Sequence, residues 1–185
     1  RRYGLAEFCR QMAVKGRRPG DCQQVNLDAE RLGAEVNAHT DKDHTAFHMQ
    51  GLARDAASFV RMLGDIVRQS TFPEVELERE REVILHEYAE DEDDAMATAF
   101  KLFDKACYGE HAVARPVIGN RTNIRRLPRS ELVDHLQQQY TAANPVDGLV
   151  GLAAPDALVA AARTTSGTHP PPTDDPTPAP PTPHR

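Results

Sequence analysis

The stretch whose reading decides the fold is GLAEFCRQMAVKG, Gly4–Gly16. Leu5, Phe8, Cys9 and Met12 recur at three- and four-residue spacings, the rhythm of a helix with one buried stripe. Glu7, Arg10 and Gln11 recur at i, i+3 and i+4 on another side, so a single helix aims three polar side chains at one point. Metal-binding helices use that spacing. Arginine cannot ligate a metal and glutamine does so weakly. From these residues alone three readings stand open: an active site, an active site with its chemistry removed, or an ordinary amphipathic helix.

The surrounding 185 residues narrow the class of protein. With 39% hydrophobic and 27% charged residues, the chain has a globular rather than a disordered composition. A formal net charge of -6 without a basic stripe argues against nucleic acid as a partner. The acidity is concentrated in EYAEDEDD, Glu87–Asp94, where basic peptides could be attracted; such runs are more often solvated helix faces. No apolar run approaches the roughly 18 residues of a membrane span. RRYGLAEFCRQ lacks the apolar core of a signal peptide. Cys9, Cys22 and Cys107 are far apart and form no C-x-x-C pair, which gives neither a disulfide framework nor a zinc knuckle. A reducing, cytoplasm-like compartment is the weak expectation that follows. A chain that starts with Arg and is helical by residue 4 reads as processed or as a fragment.

Outward from the opening helix, the pattern alternates. A second helix is expected near 21–32, with Val25, Leu27 and Leu32 apolar and Gly33 as its C-terminal glycine. AEVNAHT and HTAFHMQ read as two strands around an Asp41-Lys42-Asp43 turn. Phe59, Met62, Leu63, Ile66 and Val67 mark a helix before the Phe72-Pro73 break. Helices follow over about 74–91, 94–107 and SELVDHLQQQY, then a strand GLVGLA and a short final helix. The fold class expected is α+β, an α/β two-layer sandwich in which helices cover a mixed, largely antiparallel sheet. Residues 1–163 form this domain. From Thr164 the sequence TTSGTHPPPTDDPTPAPPTPHR holds eight of the fourteen prolines and little to bury, so 164–185 reads as a Pro/Thr-rich tail or linker.

Four stretches in order resemble a known family. GLAEFCRQMAVKG is similar to a G-x-A-H-F-x-E-H-M-x-F-K-G helix, and LGAEVNAHTDKDHTAF to a G-G-x-x-N-A-x-T strand pair. FPEVELEREREVILHEY resembles an E-R-x-V-V-x-x-E helix, and RPVIGNRTNIRRLPRSELVDHLQQQY a P-x-x-G segment with the helix after it. Together they cover about residues 4–152 and resemble the insulinase–pitrilysin–mitochondrial processing peptidase family, the inverted zincins. The resemblance implies two zinc-binding His and a general-base Glu in H-x-x-E-H, at positions that here hold Glu7, Gln11 and Arg10. It puts a third ligand at Glu87 and a supporting acid at Glu80. It makes Asn37, Ala38, His39 and Thr40 the edge strand that holds a peptide or protein substrate. It also implies strands ahead of the zinc helix that this chain does not contain.

Zinc-assisted hydrolysis needs a metal that acidifies water and a base that takes its proton. Arg10 accepts no proton and repels a divalent ion, so no catalytic residue and no metal or other cofactor is expected. The guanidinium of Arg10 is expected to stand in for the metal's charge, pairing with Glu7, Glu87 or Glu80. The leading expectation is a non-catalytic partner or peptide-binding subunit working with a homologue that has an intact H-x-x-E-H. A divergent metallopeptidase using zinc at Glu7 and Glu87 is the alternative; a truncated product without function is a third. Among the remaining signals, His44 and His48 share one side of a strand. His39 is expected to face the other way, which argues against a three-imidazole site. Cys9 is expected to be a small buried hydrophobe rather than a nucleophile.

Overall fold

The computed structural model describes residues 3–15, 24–141, 144–152 and 154–165. Its first helix, α1 (Leu5–Ala13), buries Phe8, Cys9 and Met12 completely. The long α4 (Glu74–Asp93) packs on one side of α1, α7 (Arg129–Gln139) on another, and the hairpin β1 (Glu35–Thr40) and β2 (Thr45–Gln50) on a third. The main core joins the α1 stripe to Phe72, Leu77, Ile84, Ile124, Leu127 and Leu132. A smaller cluster under the hairpin gathers Ala13 and Ile66 with Val36, Phe47, Met62 and Leu63. One nine-residue helix therefore serves both cores.

The remaining elements hold this arrangement. The helix α2 (Gln24–Arg31) ends in a Schellman turn: Ala34 N–H donates to Ala29 O, Gly33 N–H to Glu30 O, and Gly33 has φ 61°. A 3-10 turn leads into α3 (Ala56–Arg68), which packs against β2 and against α8 (Pro155–Thr165). After α4 come α5 (Ala95–Tyr108), whose N-terminus is capped by Asp94, and α6 (Arg121–Arg126), capped by Asn120. Phe72 sits fully buried at φ 46°, and the Arg129 guanidinium donates to its carbonyl at 2.8 Å and to that of Thr71 at 2.7 Å. Arg81, itself buried, donates to the carbonyls of Ile124 and Leu127 and lies over the Phe8 ring. Both arginines satisfy carbonyls that the connections between helices would otherwise leave unbonded.

The fold class is α+β, and the described residues contain one two-stranded antiparallel sheet. GLVGLA forms no ladder there: Val150 and Leu152 are fully exposed, and a strand needs a neighbour to be one. Cys22, the start of the second expected helix and residues 166–185 of the expected tail lie outside the described residues; Thr164 and Thr165 are the end of α8. The hairpin register pairs His39 with Ala46 and Asn37 with His48. Odd residues of β1 therefore share a face with even residues of β2. That corrects the expected orientation of His39, whose ring lies 5.4 Å from that of His44 and 6.0 Å from that of His48. Facing across a hairpin depends on pairing register, which alternation within one strand does not reveal.

The segment before α6 approaches α1 backbone to backbone. A Cβ on Gly4 (φ 84°) would stand 2.6 Å from Ile118 O, whereas one on Gly33 would meet nothing within 4 Å. Gly4→Ala is expected to lose about 2 kcal/mol or more of stability and Gly33→Ala about 1 kcal/mol. Urea unfolding of the two variants checks the difference; equal losses would contradict the close approach. A second expectation concerns His135 on α7, whose burial lowers its pKa from 6.5 to about 4. Between those values the unfolded chain binds one proton more than the folded one, so stability is present above pH 6.5 and falls as the pH drops toward 4. Lowering the pH from 7 to 5 should cost about 2 kcal/mol through this group. His135→Gln should flatten that part of the stability profile measured by urea titration at each pH.

Candidate functional site

The polar side of α1 meets α4 and the outer edge of β1. Glu7, Arg10 and Gln11 come together with Glu87 here, 76 residues further along the chain from Gln11. The Gln11 side-chain N–H₂ group donates to Glu7 Oε1 at 2.8 Å and to Glu87 Oε2 at 2.9 Å. Gln11 is 5% exposed, and its Oε1 has no partner among the described residues. That orientation follows from electrostatics: between two carboxylates the amide must present its donors, because its oxygen would be repelled. Arg10 forks onto Glu7 through Nη2 and Nε, and its Nη1 donates to Ala38 O at 3.3 Å. One turn on, Lys15 pairs with the buried Glu80 at 2.9 Å.

The pairing falls on one of the three expected partners. Among the bonds of the described residues, Arg10 joins Glu7 and not Glu87 or Glu80. The two helices are linked by the Gln11 amide and by the Lys15–Glu80 pair, while Arg10 links α1 to β1. Geometry explains this. Arg10 and Glu7 lie one turn apart on one helix, within easy reach, and the fork satisfies both before the guanidinium could extend to α4.

These residues line part of an open cavity of about 580 Å³. One wall is the β1 edge, with Ala38, His39 and Thr40; Asn37 is not part of the lining, and its Oδ1 accepts from Ala38 N–H at 2.9 Å instead. The opposite wall is α5 with Pro116, Val117 and Ile118. Three groups that the sequence did not single out shape this wall. Lys42, in what read as a plain turn, donates to Asp104 Oδ2 at 2.6 Å and to the carbonyls of Val113 and Arg115, tying the hairpin to α5. Lys101 pairs with Asp91 and joins α5 to α4. The clue was available in α5 itself: Lys101 and Asp104 sit at i and i+3, turned inward, while Met96, Leu102 and Phe103 are exposed. Charges placed on the inner face of a helix with an apolar outer face are the signal of a polar site beneath it.

The acidic run is partly used within the protein. Asp91 holds Lys101, Asp94 caps α5, Glu92 accepts from the Tyr88 hydroxyl and Glu90 lies 3.5 Å from His86. Cys9 is fully buried and its thiol is pushed up to about 12 by desolvation, so it is inert as a nucleophile. His44 bonds Asp43 at 2.7 Å, which raises its pKa. Among the described residues, no three His, Cys, Asp or Glu side chains are grouped to hold a metal ion. The Gln11 bridge is expected to carry real stability. Gln11→Leu removes the amide donor from Glu87 beside Glu7, which keeps Arg10, and should cost about 1–3 kcal/mol, whereas Glu87→Gln, which keeps an acceptor oxygen, should cost less. Denaturant unfolding of both variants checks the order.

Comparison with known proteins accords with this arrangement. The family model for insulinase (peptidase family M16) matches residues 1–121. The mitochondrial-processing peptidase subunit beta of Homo sapiens is 32% identical over 160 residues, covering 86% of this chain and 33% of that protein. Cytochrome b-c1 complex subunit 1, mitochondrial, of Mus musculus is 32% identical over 150 residues, covering 80% of this chain and 31% of that protein. A solved inactive M16 peptidase domain from Pseudomonas fluorescens shares the fold with a TM-score of 0.82 at 24% identity, over 97% of this chain and 45% of that one. The chain thus spans about a third of the length of these curated relatives. A family model that covers residues 1–121 settles the assignment: the chain belongs to the insulinase family, peptidase family M16.

Proposed function

We propose that this chain is a non-catalytic member of its family, a peptide-binding or partner domain of a processing-peptidase-like protease. The observation that carries the reading is the Gln11 amide bonded to both Glu7 and Glu87. The family's zinc does not fit this donor set. A ligand must offer free lone pairs toward the ion, and both carboxylates already accept N–H groups here, with the fixed charge of Arg10 on Glu7. Gln11 turns its nitrogen, not its oxygen, to the carboxylates. The residue at the general-base position is an arginine, which takes no proton. No hydrolytic step is therefore assigned to these residues.

What the site can do is hold an extended peptide. Ala38, His39 and Thr40 border the cavity along an edge that lacks a strand neighbour among the described residues. Strand addition uses such an edge for main-chain bonds and the adjoining wall for side chains, here Ala97, Phe100, Val117 and Ile118. Chemistry on a bound peptide would come from a companion subunit with an intact H-x-x-E-H, and the relatives named as subunits of larger assemblies support that division of labour.

Metal content tests the proposal. Purified chain equilibrated with micromolar zinc and then desalted should hold far less than one zinc per chain by elemental analysis and should not cleave peptides. The variant Glu7→His, Arg10→Glu, Gln11→His should retain close to one zinc. Stoichiometric zinc on the unmodified chain that disappears with Glu87→Ala would overturn the reading.

A further inference from the structure

The outer edge of β1 is already bonded by the chain itself at one position. Asp41 N–H donates to His44 O, and Ala38 lies opposite Phe47, three pairs further along. Hydrogen-bonded and non-hydrogen-bonded pairs alternate along an antiparallel ladder, so Val36, Ala38 and Thr40 point their N–H and C=O groups away from β2. Ala38 is the middle of these three. Its carbonyl accepts from Arg10 Nη1 at 3.3 Å and its N–H donates to Asn37 Oδ1 at 2.9 Å. Any added strand that spans more than one outward position must bond Ala38, and both of its groups are taken.

We infer that Arg10 is a gate on the β1 edge, closed when it bonds Ala38 O and open when it swings away with Glu7 still paired. This inference deepens the peptide-binding reading and rests on it. The bond to Ala38 is a single contact from Nη1 at 3.3 Å, whereas Glu7 holds the guanidinium through two nitrogens, and the side chain is 20% exposed at the cavity. Its anchor on Glu7 lies on the same helix, so opening breaks one bond without freeing the charge. The incoming strand supplies the replacement: a peptide N–H takes the Ala38 carbonyl. A docked peptide must outcompete a charge-assisted bond, which favours segments that are already extended.

The test uses a fluorescein-labelled, Val/Thr-rich decapeptide and two forms of it N-methylated on either alternate set of backbone nitrogens. Binding is measured by fluorescence polarisation to the unmodified chain, to Arg10→Met, and to the paired variant Glu7→Gln with Arg10→Met, in which Gln11 keeps an acceptor and no carboxylate loses its counter-charge. Both variants should bind the plain peptide about tenfold more tightly than the unmodified chain, the effect of one freed charge-assisted bond. One of the two methylated peptides should lose that gain. Equal or weaker binding by the variants overturns the gate and leaves the peptide-binding reading intact. A gain that survives both methylations also overturns it, since tighter binding would then come from a changed cavity rather than from the edge. Binding by none of the three proteins removes the peptide-binding reading and the gate with it.

Discussion

The burial of α1 is the constraint on which the rest of the structure depends. Phe8, Cys9 and Met12 are enclosed on one side, and α4, α7 and the hairpin surround the helix so closely that Gln11 on its polar side is also buried. Polar groups in that position must find partners inside the protein. Glu7, Arg10 and Gln11 do so with one another, with Glu87 and with a backbone carbonyl of β1. The same bonds that satisfy buried groups also decide what the site can bind. Glu7 and Glu87 each accept from the Gln11 amide, and Glu7 also from the Arg10 guanidinium.

A second layer of charge pairs closes the surroundings of the site. Lys15–Glu80 joins the end of the α1 segment, just past its C-cap, to α4, Lys101–Asp91 joins α4 to α5, and Lys42–Asp104 joins the hairpin to α5. Each pair connects a different couple of elements, so together they place the cavity walls relative to the strand edge. Such partly buried pairs contribute more to geometry than to net stability, because desolvation offsets much of the attraction. The consequence is visible on α5. Lys101 and Asp104 face the site beside Phe100, and Met96, Leu102 and Phe103 are left outside.

Much of this was legible along the chain. The apolar spacing in Leu5–Met12, the glycine at 33, the strand pair around Asp41-Lys42-Asp43 and the break at Phe72-Pro73 each correspond to an element or its boundary. The spacing of Glu7, Arg10 and Gln11, together with the 76-residue step to Glu87, brought the right four residues to one place. Misreadings arose where a contact depends on register or rotamer. His39 joins the face of His44 and His48 because β1 and β2 pair 39 with 46, a fact absent from either strand taken alone. Of the partners expected for Arg10, namely Glu7, Glu87 or Glu80, it is Glu7 one turn away that holds it, and the helix-to-helix bond falls to the less conspicuous Gln11.

By itself, the sequence determined which faces of the helices are buried, where most elements begin and end, and that Glu7, Arg10 and Gln11 share one side of a helix. Those properties follow from periodicity and backbone preference, which act over a few residues. Only the tertiary structure decided who bonds whom: the amide nitrogen of Gln11 between two carboxylates, Lys42 across to Asp104, Arg10 on the carbonyl of Ala38. Such choices depend on distances of a few ångströms between elements far apart in the chain. There, desolvation leaves each polar group only the partners that packing brings within reach.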